Sequence, residues 1–169
     1  HVVSGFENGN VLVLASDSAL LLVDAQSASR VAALDSALRA LSGRTAGSGS
    51  RASRPVRIVI DTHYHGDHTE GNAWFRARGA SVLAHREAIV AAAKDTTIAS
   101  WDNWHRTPLP AEAMPTRAVD DSLVIAFGAE QVVVLHAPGA HTGGDLMVWL
   151  PRANVLHIGD ILEVGAPPF

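Results

Sequence analysis

Short apolar runs alternate with polar breaks at the start of the chain. Val2–Phe6, Asn10–Ala15 and Ala19–Val23 are separated by Glu7-Asn8-Gly9 and Ser16-Asp17-Ser18, turn chemistries that favour antiparallel hairpins, so a β-meander is expected. From Ser27 to Leu41 the period changes: Val31, Leu34, Leu38 and Leu41 recur at helical spacing and predict a helix with one face on the sheet. The Gly- and Ser-rich stretch from Ser42 to Ser53 reads as a surface loop. Val56–Ile60 then reads as a buried strand, Glu70–Arg78 as a helix carrying Trp74 and Phe75 and stopped at Gly79, Ser81–Ala84 as a short strand, and His85 to Lys94 as a further helix. Asp95 to Pro115 breaks this rhythm. Val119–Phe127 and Gln131–His136 predict a hairpin about Gly128-Ala129-Glu130, and Leu146–Leu150 with Asn154–Ile158 a second, turned by Pro151-Arg152-Ala153. The order suits a sheet-on-sheet core with helices outside, in one domain over residues 1–169.

The densest chemistry leaves the Val56–Ile60 strand, as Asp61-Thr62-His63-Tyr64-His65-Gly66-Asp67-His68. His63, His65, Asp67 and His68 are all metal-ligand types. Imidazole suits zinc and similar borderline ions, and carboxylate adds charge and oxygen ligation, so the mixture fits a hydrolytic metal. Alternate residues of an extended segment point the same way, which lets His63 and His65 converge on one ion while Asp67 and His68 turn to a second. Gly66 sits between the pairs, where a sharp reversal is expected. Coincidental histidines in a polar turn are the competing explanation, and this packing of ligands argues against it.

The stretch His63-Tyr64-His65-Gly66-Asp67-His68 resembles the His-x-His-x-Asp-His pattern of the metallo-β-lactamase-fold hydrolases. Ala140-His141-Thr142-Gly143-Gly144-Asp145 and Ile158-Gly159-Asp160 follow in that family's order. The resemblance implies an α/β fold of the four-layer α+β kind, an αββα sandwich with two mixed sheets face to face and helices outside. It implies that His63, His65 and His141 hold one ion, Asp67 and His68 another, and that Asp160 lies between them. It implies one or two Zn2+ ions, with iron or manganese left open, and a hydrolase whose metal-bound hydroxide, oriented by Asp67, attacks an ester, thioester, lactone or β-lactam type bond of a small-molecule substrate. His65 separates the chain from the di-iron branch, which carries Glu there, and Asp160 from the β-lactamase branch, which carries Cys there. Alternatives are a β-CASP-like phosphodiester hydrolase and a metal-binding or assembly module without turnover. The family supplies a further histidine after Asp160, and none follows here. A domain incomplete at its C-terminal side, completed by a missing fragment or a partner chain, is therefore expected, with apolar sheet surface left exposed.

Composition narrows the partners. The formal charge of -4 and the absence of any lysine or arginine run leave no electrostatic footprint for nucleic acid or an anionic membrane. With no cysteine, the ligands must be nitrogen and oxygen. No apolar run approaches the roughly 20 residues that span a bilayer, and His1 is not an initiator methionine, so a removed leader and a periplasmic or secreted location are consistent with the sequence. Trp101 and Trp104, in the irregular Asp95–Pro115 stretch, are candidates for a substrate wall or for anchors of that loop. Asn72 is a candidate donor to substrate or ligand. Asp24 reads as a helix cap, with a place beneath the metal site as the alternative. His85 is expected in the pocket or at the surface; His136 and His157 are expected to be structural.

Overall fold

The computed structural model describes residues 1–4, 9–45, 54–99 and 103–162. Its first sheet has the order β1 (Val2–Val3), β2 (Val11–Ala15), β3 (Leu20–Val23), β4 (Val56–Ile60), β5 (Ser81–His85), β8 (Arg117–Val119). β1 to β3 form the antiparallel meander, and β3, β4, β5 and β8 run parallel. The second sheet is antiparallel, in the order β12 (Val155–His157), β11 (Asp145–Leu150), β10 (Glu130–Ala137), β9 (Ser122–Phe127). Helices α1 (Val31–Thr45), α2 (Gly66–Thr69), α3 (Asn72–Arg76) and α4 (Arg86–Ala92) connect the strands of the first sheet.

Strands of the first sheet are apolar on both sides because each side has a layer to meet. Leu12, Leu21, Val23, Ile60 and Leu83 face Phe127, Val132, Val134, Leu146 and Val148 of the second sheet. Their neighbours Val11, Val13, Leu20, Leu22, Val59 and Val82 pack on Leu34 and Leu38 of α1 and Phe75 of α3. Burial on both faces removes the polar alternation from β2 and β3 and leaves continuous apolar runs. This is the expected αββα type of sandwich, with two departures among the described residues: the second sheet is antiparallel where a mixed one was expected, and the helices lie on the first sheet.

The outer face of the second sheet differs. Val124, Val133, Trp149 and Leu156 are directly paired across all four strands. Val124 is 58%, Trp149 42% and Leu156 56% exposed. Among the described residues, no buried cluster joins a helix to this row. This outer face is therefore an exposed apolar sheet surface.

Several boundaries depart from the sequence reading. The Val119–Phe127 run is two strands in different sheets, β8 and β9, parted at Asp120-Asp121. The corner is held outside the ladder: Arg86 forks onto Asp120, and the Asp121 carbonyl accepts the His136 amide. The helix expected over Glu70–Arg78 is shorter, α3 over Asn72–Arg76, and a separate short helix, α2, precedes it within the ligand loop, with the chain turning at Glu70-Gly71 between them. There an added Cβ on Gly71 would stand 2.0 Å from the Ala25 carbonyl oxygen, so only glycine permits this approach. Gly66 does not make a left-handed reversal; it opens α2. Part of the irregular Asp95–Pro115 stretch forms an antiparallel pair, β6 (Thr96–Ile98) with β7 (Trp104–Arg106). No helix among the described residues is long and apolar enough to cross a membrane.

Candidate metal centre

Two parallel strands end side by side, and the residue after each opens the site. Asp24 follows β3 and donates its amide to the Ile60 carbonyl, while Asp61 follows β4 and donates its amide to the Leu83 carbonyl. From Asp61 the chain bends through Thr62 to Tyr64, then enters α2 with His65 as the preceding residue. The His65 carbonyl accepts the amides of His68 and Thr69 and the Thr69 hydroxyl, which fixes the backbone that carries the ligands.

Four side chains from three separate segments meet: one donor atom each from His63, His65, His141 and Asp160 lies within 4.8 Å of the others, and Asp67, His68 and Asp160 form a second such group. The two groups share Asp160, and its two oxygens divide between them. Oδ2 lies 3.8 Å from His63 Nε2 and 4.0 Å from His141 Nε2, whereas Oδ1 lies 3.3 Å from His68 Nε2. His68 Nε2 is also 3.5 Å from Asp67 Oδ2.

Beneath the donors a hydrogen-bonded layer fixes which ring nitrogens face inward. Asp24, 1% exposed, accepts the Thr62 amide at 2.8 Å and the Thr62 hydroxyl at 3.1 Å. With its proton committed to Asp24, that hydroxyl accepts from His63 Nδ1 at 3.1 Å, which leaves Nε2 of His63 unprotonated and facing the site. The same carboxylate faces His68 Nδ1 at 2.9 Å and turns Nε2 of His68 inward. Asp24 is therefore not a helix cap. It lies under both donor groups, in a left-handed backbone conformation (φ 69°) that is costly for a non-glycine residue.

The protonation states follow from burial and from these neighbours. Burial, with the neighbouring histidines His68, His65 and His141, drives His63 well below the usual imidazole range. Burial and His141 bring His65 down to about 4. Burial works against a cation at His68 too, but Asp24, Asp160 and Asp67 outweigh it and raise its imidazole far above the usual range. Asp67 and Asp160, although partly buried, are held below the usual carboxylate range chiefly by the hydrogen bond and charge of His68. Without a metal, His68 is the cation that this acidic cage holds.

The donor chemistry fits a divalent ion. His63 Nε2 is buried and has no hydrogen-bond partner among the described residues. His141 Nε2 and His65 Nδ1 stand 3.1 Å apart, close to the edge of about 3.3 Å that follows from tetrahedral geometry with zinc–nitrogen bonds of roughly 2.0–2.1 Å.

The family model described as the metallo-beta-lactamase superfamily matches residues 4–169. The chain belongs to this superfamily. It is 30% identical over 158 residues to a hydroxyacylglutathione hydrolase of Brucella anthropi, a match covering 92% of this chain and 47% of that protein. Among solved structures, a metallo-beta-lactamase from Cronobacter sakazakii matches with a TM-score of 0.71 at 18% identity, over 96% of this chain and 60% of that one. A metallo-beta-lactamase from Pontibacter korlensis matches with a TM-score of 0.63 at 18% identity, over 92% and 64%. These structural likenesses speak to the fold. The chain spans about half the length of the curated relative it matches.

The other candidate residues of the sequence fall elsewhere. Asn72 is fully buried and donates to Asp61 Oδ2 at 2.9 Å, so it braces the start of the ligand loop and does not face a substrate. Trp101 lies outside the described residues, and Trp104 lies in β7. His85 is neither at the surface nor among the donors; it is buried and stacked on His136. His157 donates from Nε2 to the Asn10 carbonyl. Thr62 and Gly71 carry no sequence signal of their own, apart from their places beside His63 and Asn72.

Proposed function

We propose that this chain carries the active centre of a zinc-dependent hydrolase acting on an ester, thioester, lactone or β-lactam type bond of a small molecule. The observation that supports it most is Asp160, whose two oxygens face two different groups of donors. In this reading His63, His65 and His141 hold one ion, Asp67 and His68 a second, and Asp160 both, with residues 1–169 acting as one domain. Zinc suits imidazole and carboxylate donors in the absence of thiolate; iron and manganese accept similar sets and are distinguished by metal analysis.

A divalent ion supplies Lewis acidity here and lowers the pKa of a water it binds toward neutrality. The rest falls to the chain. Asp24, through Thr62 and directly, keeps the inward nitrogens of His63 and His68 aimed at the centre. Asp67, its side chain 31% exposed and held deprotonated beside His68, accepts a hydrogen bond from the attacking water and orients it. A cleft of about 640 Å³ opens beside Asp67, His68 and Asp160, with Leu12, Val155, Leu156 and Leu162 in its walls. No lysine or arginine lines it among the described residues, which favours a neutral or apolar acyl group over a phosphodiester.

A second reading is a metal-binding or assembly module without catalytic turnover. The exposed Val124–Trp149–Leu156 row favours it. The deciding experiment combines metal analysis of the purified chain with assays on ester, thioester, lactone and β-lactam probes, with and without chelator. Chelator-sensitive hydrolysis is expected. Bound metal without turnover selects the module, and absence of metal binding rejects both.

A further inference from the structure

Two histidines outside the donor groups contact each other across the sandwich. His85, at the end of β5 in the first sheet, lies flat on His136 of β10 in the second, with ring centroids 3.7 Å apart and planes at 14°. His85 is 6% exposed, and its Nδ1 accepts the Glu87 amide at 3.2 Å, which fixes the ring at the start of α4. Burial and then the neighbouring His136 hold its imidazole below the usual range.

His136 in turn reaches the loop that carries His141. Its Nε2 donates to the Gly143 carbonyl at 3.0 Å, and since a carbonyl only accepts, Nε2 carries the proton. The bond joins a residue near the end of β10 to a residue just beyond His141, inside the loop that the Ala137–Asp145 pair closes. The far limb is seated on α4: a Cβ on Gly143 would stand 2.6 Å from Glu87 Oε2, and one on Gly144 2.5 Å from the Ala88 amide nitrogen. The near limb, Pro138 to Ala140, is exposed, and a Cβ on Gly139 would meet nothing within 4 Å. Thr142 is tied to Asp145, and the Leu146 amide to the Thr62 carbonyl, both beyond the ligand. Above the Ala137–Asp145 pair, where the β10–β11 ladder ends, the His136 side chain adds a link that reaches to within two residues of His141.

We infer that His136, held flat by His85, is a positioning residue that sets the approach of the His141 ring to His63 and His65. The inference rests on the reading of those three histidines as ligands of one ion. Partners that orient a metal ligand typically change metal affinity by 10- to 100-fold when removed. His136→Phe keeps a flat ring for His85 and removes the donor; His136→Gln keeps an N–H at the position of Nε2 and removes the ring.

The test is a titration of the full metal-free chain with Co2+, following the visible absorption of histidine-ligated cobalt and its dissociation constant, with the melting midpoint of the metal-free protein measured in parallel. Wild type binds. His136→Phe is expected to weaken the first cobalt by about 10- to 100-fold and to alter its spectrum while the metal-free midpoint stays near wild type. His136→Gln is expected to lie closer to wild type than to His136→Phe. Wild-type affinity and spectrum in His136→Phe, or equal losses in both variants, overturn the inference and leave the ligand reading standing. A wild-type chain that binds no cobalt through histidine rejects the ligand reading, and the inference with it.

Discussion

Asp24 Oδ2 lies 2.9 Å from Nδ1 of His68, and the same oxygen accepts the hydroxyl of Thr62, which supports His63. One buried carboxylate thus orients a donor in each of the two groups. Asp24→Asn preserves shape but removes the charge that faces His68. The second ion is expected to bind about 10- to 100-fold more weakly, with a smaller effect on the first, as read by competition with a calibrated chelator. Equal affinity for both ions in the variant and wild type would refute this role.

Protonation of His63 and His65 should weaken the metal-free protein as pH falls, against the opposite effect of Asp61, whose carboxyl burial raises well above the ordinary range. His65 is brought down to about 4 by burial and His141, and burial keeps His63 low as well. The unfolded chain, with histidines near their ordinary pKa of about 6.5, takes up protons first, so this stability is complete above that pH and is lost as pH falls toward 4. His68 has the opposite shift, and its contribution stays constant across this window. His65 alone corresponds to a loss of about 3 kcal/mol between those limits. Urea unfolding of the chelator-treated chain at pH 7 and pH 5 checks it; a flat or rising midpoint on acidification contradicts the assignment.

Asp67 separates catalysis from folding. It is half-buried, and Asp67→Asn keeps the shape and the acceptor oxygen at the first turn of α2, so the circular dichroism spectrum and melting midpoint should stay near wild type. Hydrolysis of the best probe should fall by roughly 10²- to 10⁴-fold, the range typical of removing a positioned acid–base group. Full turnover in the variant would count against the proposed chemistry.

Gly71 carries the opposite expectation. A Cβ there would lie 2.0 Å from the backbone oxygen of Ala25, which cannot swing aside as a side chain does. Gly71→Ala is expected to destabilise the chain by about 3 kcal/mol or more and to displace Asp24 and His68 together, since Ala25 also donates its amide to the His68 carbonyl. The paired readout is the urea midpoint and metal stoichiometry; an unchanged midpoint would show that the backbone yields more easily than its contacts suggest.

The ligand loop was legible because its chemistry is local: His63, His65, Asp67 and His68 announce themselves within one turn of chain, and the apolar run before them fixes the strand end. The support beneath them was not. Asp24 and Thr62 lie 38 residues apart and meet only because β3 and β4 pair in parallel, a register that no short window of sequence contains. The His85–His136 stack was hidden for the same reason, since its rings come from different sheets. The break between β8 and β9 was hidden by composition. Val119 to Phe127 is apolar enough for one strand, and the Asp120-Asp121 corner declares itself only through Arg86 and the His136 amide. Asn72, open in sequence between a donor to ligand or substrate and a structural amide of the first helical turn, takes the structural place, bonded to Asp61.

Trp149, flanked by Val133 and Leu156 on neighbouring strands, gives the second sheet a greasy plane that water wets poorly. Handled alone at millimolar strength, such a molecule is expected to stick to itself through that plane. A lysine at Trp149 should then raise the concentration at which the chain stays dispersed.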